Sequence, residues 1–548
     1  KEDTQNLDEI VVVGYGVQRK SDLTGSISKV DADDFKNTPV QGIENALQGR
    51  AAGVMVTAIS GAPGAGTSVR VRGVGTVNNA NDPLYIVDGI PVSDINYLNP
   101  SDISSIEILK DASATAIYGS RASNGVVLVT TLRGNSDGDK FRTQVKFDMY
   151  YGVQNAMNVP DMLDAEGFIT LNRIAYDYYR NPDGSGVSQD FKDPEALLSV
   201  VEKVTGSRAG TNWWDEVFQT GKIQNYNINV SGGNKKLSYM TSGSYFKNEG
   251  IINFSDFERL TIRSNVDYNI SDRVKLTSNL SATHTNRHTI PEYDLENGAV
   301  FGALLYDPTT PVYRRNYQGI PGWEDRLEGY DPNDPITWFG TGKYTNKRQP
   351  YANSFRQGTL RDNKMLKVVG NFVLDVKIMP WLIFKSNLGI DNLNRVSDQF
   401  TPSFYLDADE KEDNNRVYKE QTQYLNWVWE NTISGTKKFG DHSLSAVAGM
   451  TMESWDWTQF RGEKQGTPNN NPDQWVLDAA TFNPTAVGEQ RHSAMMSYLG
   501  RVNYGFADRY LITASVRADG SSKFRKENRW ATFPSASVGW RLSQESFF

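Results

Sequence analysis

The stretch Ile106 to Thr131, IEILKDASATAIYGSRASNGVVLVTT, places a strand, a turn region of small residues and a second strand in an unusual order. Three earlier stretches share its mixture of short β-branched runs and glycine: Asp8–Gly16 (DEIVVVGYG), Val69–Thr76 (VRVRGVGT) and Pro83–Val92 (PLYIVDGIPV). Glycine beside such runs is typical of tight turns, because it adopts backbone angles that other residues avoid. The N-terminal part therefore reads as a compact domain of short strands.

In this order the four stretches resemble the plug domain of TonB-dependent transporters. DEIVVVGYG and AIYGSRASNG resemble the SusC-like (SusC/RagA) branch, the nutrient importers of Bacteroidetes outer membranes. The resemblance implies an α+β plug domain inside an all-β transmembrane antiparallel barrel, with about 22 strands expected for the family. It also implies an outer-membrane location, energy coupling through TonB-ExbB-ExbD and a SusD-like surface lipoprotein that acts as a lid.

Composition narrows the classes of protein that remain. The chain has 548 residues, no cysteine and a formal net charge of −8. Without cysteine it has no disulfide, thiolate metal site or cysteine nucleophile. No run approaches the roughly 18 apolar residues of a membrane helix, so a form that spans a bilayer must be a closed barrel. Lys and Arg are scattered among carboxylates, which argues against a nucleic-acid surface.

Beyond Gly134 the chain changes to long segments in which apolar and polar residues alternate. Leu260–Ile270, LTIRSNVDYNI, has a period of two, and Val274–Ala282 repeats it after only three residues. Two alternating segments with so short a connection predict a tight hairpin. We expect strands that each have one apolar face.

The predicted connections alternate between short and long. Short turns are expected at 232–235, 271–273, 380, 440–442 and 507–508, and long connections at 153–221, 248–256, 288–364, 392–419, 458–490 and 519–531. Short periplasmic turns and long extracellular loops are typical of outer-membrane barrels. This interpretation gives about twelve strands. A soluble sandwich or propeller, whose strands alternate equally well, is the alternative.

The size of the plug constrains the size of the barrel. A plug of roughly 130 residues does not fit inside twelve strands, whereas barrels of about 22 strands hold a plugged lumen. We therefore expect this chain to be truncated, with further C-terminal strands in the complete protein. The predicted domains are a TonB box and linker (1–20), a plug domain (21–133) and the N-terminal part of the transmembrane barrel with long extracellular loops (134–548).

The resemblance assigns a TonB box near the N-terminus. An acidic pair is followed there by four β-branched residues, which favour an extended backbone that can add to the edge of a partner's sheet. The alternative is that this run is the first strand of the plug. The residues expected to bind TonB are Asp8, Glu9, Ile10, Val11, Val12 and Val13.

The long connection 288–364 is rich in aromatic residues. Ordered loops of this length tend to be functional, and flat aromatic faces beside hydrogen-bonding groups suit sugar rings or peptides. The candidates for substrate contact are Tyr293, Tyr313, Trp323, Tyr330 and Trp338. The alternative is that these rings pack the loop against itself. A membrane-interface girdle is expected at Trp427, Trp429, Trp455 and Trp457.

Motifs for catalysis, cofactors or metals are weak. Gly61–Ser68 (GAPGAGTS) has Thr67 where a phosphate-binding loop needs lysine. The four histidines are dispersed, and no Asp or Glu near His284 and His288 in the sequence completes a ligand set. Nucleophile elbows and HExxH motifs do not occur. We expect neither an enzyme nor a cofactor or metal site.

The sequence thus predicts TonB-dependent active import of a nutrient oligomer, an oligosaccharide or else an oligopeptide, across the bacterial outer membrane. The expected partners are a SusD-like lipoprotein, TonB and outer-membrane lipid, in a dimer of SusC–SusD pairs. The alternatives are a siderophore or cobalamin receptor without a lid, and a passive porin or surface adhesin.

Overall fold

The structure, a computed structural model, describes residues 10–12, 17–19, 26–35, 42–77, 81–134, 141–179, 188–291, 298–319, 339–340, 344, 349–405, 411–412, 414–545 and 547. The N-terminal part contains nine short strands: β1 Ile10–Val12, β2 Val17–Arg19, β3 Ile27–Asp31, β4 Val54–Ala58, β5 Thr67–Val71, β6 Leu84–Val87, β7 Ile90–Val92, β8 Ile103–Leu109 and β9 Val126–Thr131. Its helices are α1 Ala32–Phe35, α2 Ile43–Ala46 and α3 Ala112–Thr115, with 3-10 turns at Pro100–Asp102 and Ala116–Ala122.

The strands β3 and β6–β9 form a five-stranded mixed sheet, which we call the plug sheet, in the order β3-β8-β9-β6-β7. The β6–β9 pair is parallel, and the other three pairs are antiparallel. Val127 and Val129 of β9 are buried in a core with Ile106 and Ile108 of β8. The runs of β-branched residues in the sequence are therefore central strands buried on both faces, which explains why they do not alternate.

The rest of the described chain is dominated by one sheet of twelve strands, which we call the wall. Its strands, together with the short pair β17–β18, are β10 Arg142–Gln154, β11 Gly221–Gly233, β12 Leu237–Glu249, β13 Asp256–Asn269, β14 Val274–His288, β15 Arg361–Met379, β16 Leu382–Thr401, β17 Phe404–Tyr405, β18 Lys411–Glu412, β19 Arg416–Phe439, β20 His442–Gln465, β21 Phe482–Phe506, β22 Tyr510–Ser521 and β23 Trp530–Trp540.

Each wall strand pairs antiparallel with the next one along the wall. Among the described residues, the outer strands β10 and β23 have one wall neighbour each. The connections contain the helices α4 Ala165–Tyr179, α5 Pro194–Thr205, α6 Trp213–Val217, α7 Ala299–Leu305 and α8 Pro350–Thr359, and 3-10 turns at Gln189–Lys192, Arg314–Tyr317, Pro472–Gln474, Leu477–Ala479 and Lys526–Asn528. A further 3-10 turn, Leu542–Gln544, follows β23. Within the described residues, no helix is long and apolar enough to cross a membrane.

The two faces of the wall differ in polarity. On β13, Leu260 and Ile262 are 49% and 57% exposed, whereas Thr261 and Arg263 are 1% and 3% exposed. The polar residues are buried because the plug packs against that face, where Thr283 of β14 donates a hydrogen bond to the carbonyl of Tyr97. The predicted alternation of polar and apolar residues is confirmed, with the polar face inward and the apolar face outward.

The connection lengths follow the predicted alternation, but some strands are longer than expected. Short turns lie at 234–236, 270–273, 380–381, 440–441 and 507–509. The expected long connections at 392–419 and 458–490 were wrong in extent, because β16 runs to Thr401 and β20 to Gln465. These strand ends carry Thr, Gln, Asn and Arg on both faces. Because these ends lack an apolar face, their sequence pattern resembles that of a loop.

A continuous row of aromatic rings crosses the outward face next to the short turns. Neighbouring ring centroids are 5.4, 5.0, 6.5 and 6.4 Å apart. This aromatic row consists of Phe439, His442, Phe506, Tyr510 and Trp540. The expected girdle was wrong for Trp455, because its ring lies 5.5 Å from the Arg121 guanidinium of the plug.

Candidate functional site: the plug–wall interface

The turn between β6 and β7 is held to the wall through its main chain. Asp88 and Gly89 form this two-residue turn with φ of 49° and 87°, as Asp-Gly hairpin turns require. Asn371 on β15 donates from its side-chain amide to the Asp88 carbonyl at 3.1 Å, and Asn387 on β16 donates to the Gly89 carbonyl at 3.2 Å. Two wall strands therefore bind the backbone of the turn.

These wall amides also bond to one another, which fixes their orientation. Asn279 on β14 donates to Asn371 Oδ1 at 2.7 Å, and Asn371 donates to Asn387 Oδ1 at 2.8 Å. Asn387 in turn donates to Glu430 Oε2 at 3.2 Å. Because the oxygens of Asn371 and Asn387 each accept from a neighbouring amide, their NH₂ groups point to the plug. We call Asn279, Asn371 and Asn387 the amide ladder.

A buried cation of the wall lies beside two buried carboxylates of the plug. Arg263 Nη1 is 3.5 Å from Asp88 Oδ2, and Arg263 Nε is 3.9 Å from Asp102 Oδ2. All three side chains are at most 3% exposed. Burial raises the pKa of Asp102, and the Arg263 charge opposes that rise. The Asp88 carboxylate also accepts bonds from the Thr131 amide and hydroxyl, which connects the turn to β9.

Lys367 of β15 is a second buried cation of the wall. Its Nζ lies 2.8 Å from Asp94 Oδ2 and 3.1 Å from Ser93 Oγ, both in the plug. The same ammonium is 3.6 Å from Asp391 Oδ1 on β16 and 4.7 Å from the centre of the Tyr97 ring. The Lys367 side chain is fully buried. One charge therefore joins two wall strands to the plug segment after β7.

Two further ion pairs have the opposite polarity, with the cation on the plug. Arg121 lies 2.6 Å from Glu453 of β20, and Arg133 lies 3.1 Å from Asp267 of β13. Two other plug arginines, Arg70 and Arg72, pair within the plug, with Asp82 and Asp111. The contacts of the interface are thus spread over both ends of the plug sheet.

A cavity of about 580 Å³ lies between the β6–β7 turn and the wall, near the short turns. Its lining includes Gly89 and Arg121 of the plug and Lys385, Glu430 and Asn503 of the wall. Charged and amide side chains of this kind can hydrate or bind a polar solute. The cavity is bounded by the same turn that the amide ladder holds.

Inside the plug, Glu44 at the start of α2 is a buried carboxyl. The side chain is 2% exposed, and its Oε2 has no hydrogen-bond partner among the described residues. The pKa of Glu44 is raised to about 8, chiefly by burial; the nearby charge of Asp94 also raises it, while a backbone hydrogen bond and the charges of Arg259 and Lys367 lower it. This carboxyl is therefore largely protonated at neutral pH.

Two long connections, opposite the short turns, fold together into a helical cap. The 155–220 connection supplies α4–α6, and the 289–360 connection supplies α7 and α8. Trp213 Nε1 donates to the Asp307 carbonyl at 2.9 Å, and Tyr344 donates to Asp190 Oδ2 at 2.8 Å, both across the two connections. Tyr317 is fully buried in this cap. Several described aromatic rings of the cap are therefore part of its core.

The predicted substrate residues fall mostly outside the described chain. Tyr293, Trp323, Tyr330 and Trp338 lie outside the described residues. Tyr313 is half-buried, and its ring centroid is 6.3 Å from that of Phe339 in a stacked arrangement. For Tyr313 the structure thus shows a packing contact.

The predicted TonB-binding segment is described only in part. Asp8, Glu9 and Val13 lie outside the described residues. Ile10, Val11 and Val12 form β1, which pairs antiparallel with the three residues of β2. This segment is therefore extended, and its described pairing with β2 extends over three residues.

His288 has two acidic neighbours that the sequence analysis missed. Its Nδ1 is 2.9 Å from Asp256 Oδ1 on β13, and its Nε2 is 3.4 Å from Asp362 Oδ1 on β15. These aspartates are distant in sequence and meet His288 only through the strand register. Across the described part of the chain, no group of three His, Cys, Asp or Glu residues is arranged to hold a metal ion.

Comparison with known proteins shows which proteins this chain resembles. The family model for the TonB-dependent receptor plug domain matches residues 19–126. TonB-dependent receptor P26 of Formosa agariphila is 33% identical over 99% of this chain and 51% of its own length. TonB-dependent receptor SusC of Bacteroides thetaiotaomicron is 30% identical over 100% of this chain and 52% of its own length. Over its full length this chain is similar to the SusC-like TonB-dependent transporters.

A solved structure extends this likeness to three dimensions. The RagAB peptide importer in its open-open state superposes on the SusC-like chain with a TM-score of 0.80 and 25% identity, over 98% of this chain and 60% of the other. The SusC-like chain spans about half the length of the curated relatives that it matches.

Proposed function

We propose that this SusC-like chain is part of an outer-membrane transporter that imports a nutrient oligomer in a TonB-dependent manner. The observation that carries the proposal is the plug held against the polar face of the wall by buried ion pairs and the amide ladder. A plug that is fixed by many separate contacts keeps the lumen closed until energy is supplied to displace the plug. The names of the relatives support dependence on TonB, and the RagAB neighbour is named a peptide importer.

We infer a closed barrel of about 22 strands around the plug, to which the wall contributes one part. The support is that β10 and β23 have one described wall neighbour each, and an unpaired edge in a bilayer is costly. The proposed domains are 1–20 for the TonB box and linker, 21–133 for the plug and 134–548 for the barrel part. The short turns then face the periplasm, and the helical cap faces the exterior.

We propose residues 8–13 (Asp8, Glu9, Ile10, Val11, Val12 and Val13) as the TonB box. An extended segment with few partners can exchange them for the edge of TonB's sheet, where main-chain hydrogen bonds transmit force. The test is deletion of residues 8–13 in the full chain, with deletion of residues 1–6 as the matched control. We expect the first deletion to abolish uptake and the second to preserve it, with equal amounts of folded protein in the outer membrane.

Uptake that persists without residues 8–13 would contradict the TonB assignment and favour the porin alternative. Loss of uptake in both variants would show that the N-terminus acts through length rather than through a binding segment. A receptor for siderophores or cobalamin would also depend on TonB. Transport of a labelled ferric siderophore or cobalamin distinguishes that alternative.

We propose an oligosaccharide as the cargo, on the basis of the SusC-like resemblance, with an oligopeptide as the second candidate because the RagAB neighbour is named a peptide importer. The proposed contacts are Tyr293, Tyr313, Trp323, Tyr330 and Trp338. The proposed partners are a SusD-like lipoprotein lid and a second copy of the pair. Native mass spectrometry of the complex from its own membrane tests cargo, lid and copy number together: an oligosaccharide mass supports the first candidate, and a peptide mass selects the second.

A further inference from the structure

A groove of about 690 Å³ runs along the outward face of the wall, near the short turns. We call it the outer groove, and its floor is made by small residues on four adjacent strands: Gly435, Ala446, Ala448, Gly500 and Ala514. In the strand register Gly435 faces Ala446, and Ala448 faces Gly500. The floor is therefore continuous across strand boundaries.

Large apolar side chains form the sides of the outer groove. Ile433, Leu444, Val502 and Val516 are each between 37% and 49% exposed and rise beside the small residues. Trp381 closes one end, since a Cβ added to Gly435 would lie 3.3 Å from a carbon of the indole ring. The groove is thus a gap in an apolar surface, and its lining offers very little to a water molecule.

The aromatic row indicates at what depth in the membrane the outer groove lies. Rows of aromatic rings mark the level at which the hydrocarbon of an outer-membrane bilayer meets its head groups. Phe439 belongs to the aromatic row and lies four residues from Gly435 on the same strand face, at the turn side of the groove. The groove therefore begins just inside the hydrocarbon, on the side of the short turns.

The cationic side chain of Lys437 lies between the outer groove and the aromatic row. Lys437 is exposed, lies on the same strand face between Gly435 and Phe439, and has its Nζ 6.0 Å from the centre of the Trp381 ring. No carboxylate lies within ion-pair distance of Lys437 among the described residues, whereas the neighbouring Lys438 lies 3.7 Å from Asp508. The Lys437 ammonium is therefore available at head-group depth, where long cationic side chains reach the interface.

We propose that the outer groove is a binding site for one phospholipid of the leaflet on the short-turn side. An acyl chain fills the gap over Ala448 and Gly500, and the lipid phosphate pairs with the Lys437 ammonium beside the Trp381 ring. Filling the gap restores the van der Waals contacts that its lining otherwise lacks. The inference rests on the outer-membrane location in the proposed function, but it does not depend on TonB or on the cargo.

The test uses the full chain, extracted with mild detergent and examined by native mass spectrometry for bound phospholipid. Ala448→Leu with Ala514→Leu fills the groove, and Ala282→Leu on the outward face of β14 is the matched control. We expect the double variant to retain about tenfold less phospholipid, as the loss of roughly two buried methylene contacts implies, and the control to retain as much as the wild type. Lys437→Gln should lower the preference for anionic over zwitterionic lipid.

Equal phospholipid in the wild type and the double variant would overturn the inference, as would wild-type protein that carries none. Loss of dimer rather than of lipid in the double variant would instead identify the groove as a contact with a second copy. Failure of the proposed function looks different. It would appear as absent uptake or an absent outer-membrane location, whereas an active outer-membrane importer without bound lipid contradicts only the lipid site.

Discussion

Lys367 Nζ and Asp94 Oδ2 lie 2.8 Å apart across the plug–wall interface, with the Lys367 side chain fully buried. Replacing Lys367 by Met leaves Asp391, also fully buried, without its cation. We expect the free energy of unfolding to fall by about 3–5 kcal/mol, the range for half-broken buried pairs. Urea unfolding of the full-length protein, followed by tryptophan fluorescence, measures the change.

The control for Lys367 is Lys385→Met, which removes the cation of the more exposed Lys385–Asp375 pair on the same face. Such pairs contribute about 0–1 kcal/mol. The double variant Lys367→Met with Asp391→Asn should recover part of the lost stability, because it removes the stranded charge. Equal losses for Lys367→Met and Lys385→Met would mean that burial does not govern this contact.

The amide ladder gives a second prediction. Asn387→Leu removes the donor to the Gly89 carbonyl and the donor to Glu430 while keeping the size of the side chain. We expect a loss of about 1–3 kcal/mol, the cost of an unpaired buried polar group. Limited proteolysis should show earlier cleavage of the plug. Asn394→Leu, whose side chain makes an exposed hydrogen bond with Gln421, should change neither result.

Alanine substitutions at two glycines with positive φ distinguish the stability cost of backbone strain from that of steric overlap. Gly89 and Gly119 have φ of 87° and 71°. A Cβ on Gly89 would find Asn387 at an ordinary 3.6 Å, whereas a Cβ on Gly119 would overlap the Asp519 carboxylate of β22. Gly89→Ala should therefore cost about 1 kcal/mol and Gly119→Ala clearly more, as measured by thermal unfolding. The reverse order would show that the plug moves away from β22 at no cost.

Stability should depend on pH through Glu44. Its pKa of about 8 in the folded plug exceeds the ordinary 4.5, so between these values the folded state binds the extra proton. Stability from this group is complete below pH 4.5 and falls as pH rises to 8, by at most about 1.4 kcal/mol per pH unit. Urea unfolding across this range should show a shallower slope for Glu44→Gln. Glu202→Gln, an exposed carboxyl on α5, should keep the wild-type slope.

The sequence was sufficient to predict those parts of the fold that depend on local patterns of apolar and polar residues. Alternation in Leu260–Ile270 gave the inward and outward faces of β13, and the brief 271–273 link gave its hairpin with β14. The ends of β16 and β20 were missed because they lack an apolar face and so carry no alternation. A pattern of period two indicates that one face is apolar, and these ends are polar on both faces apart from single residues such as Phe400.

The plug–wall interface could not be predicted in the same way. Gly89 and Asn387 are 298 residues apart, and an asparagine that faces a plug has the same local surroundings as one that faces water. Arg121 and Glu453, which form an ion pair, are likewise far apart in the sequence. Trp455 was assigned to the membrane surface because the sequence does not reveal that Glu453 and Trp455 face inward towards Arg121.

The amide ladder binds carbonyl groups that every amino acid possesses. A socket of this kind is indifferent to the side chains of the segment that it holds, provided that the turn keeps its backbone shape. The ladder contacts therefore make no demand on side chains, and they should form again when the plug of one relative is placed in the barrel of another. The charged pairs do not share this tolerance, so a working chimera would have to exchange Lys367 and Asp94 together.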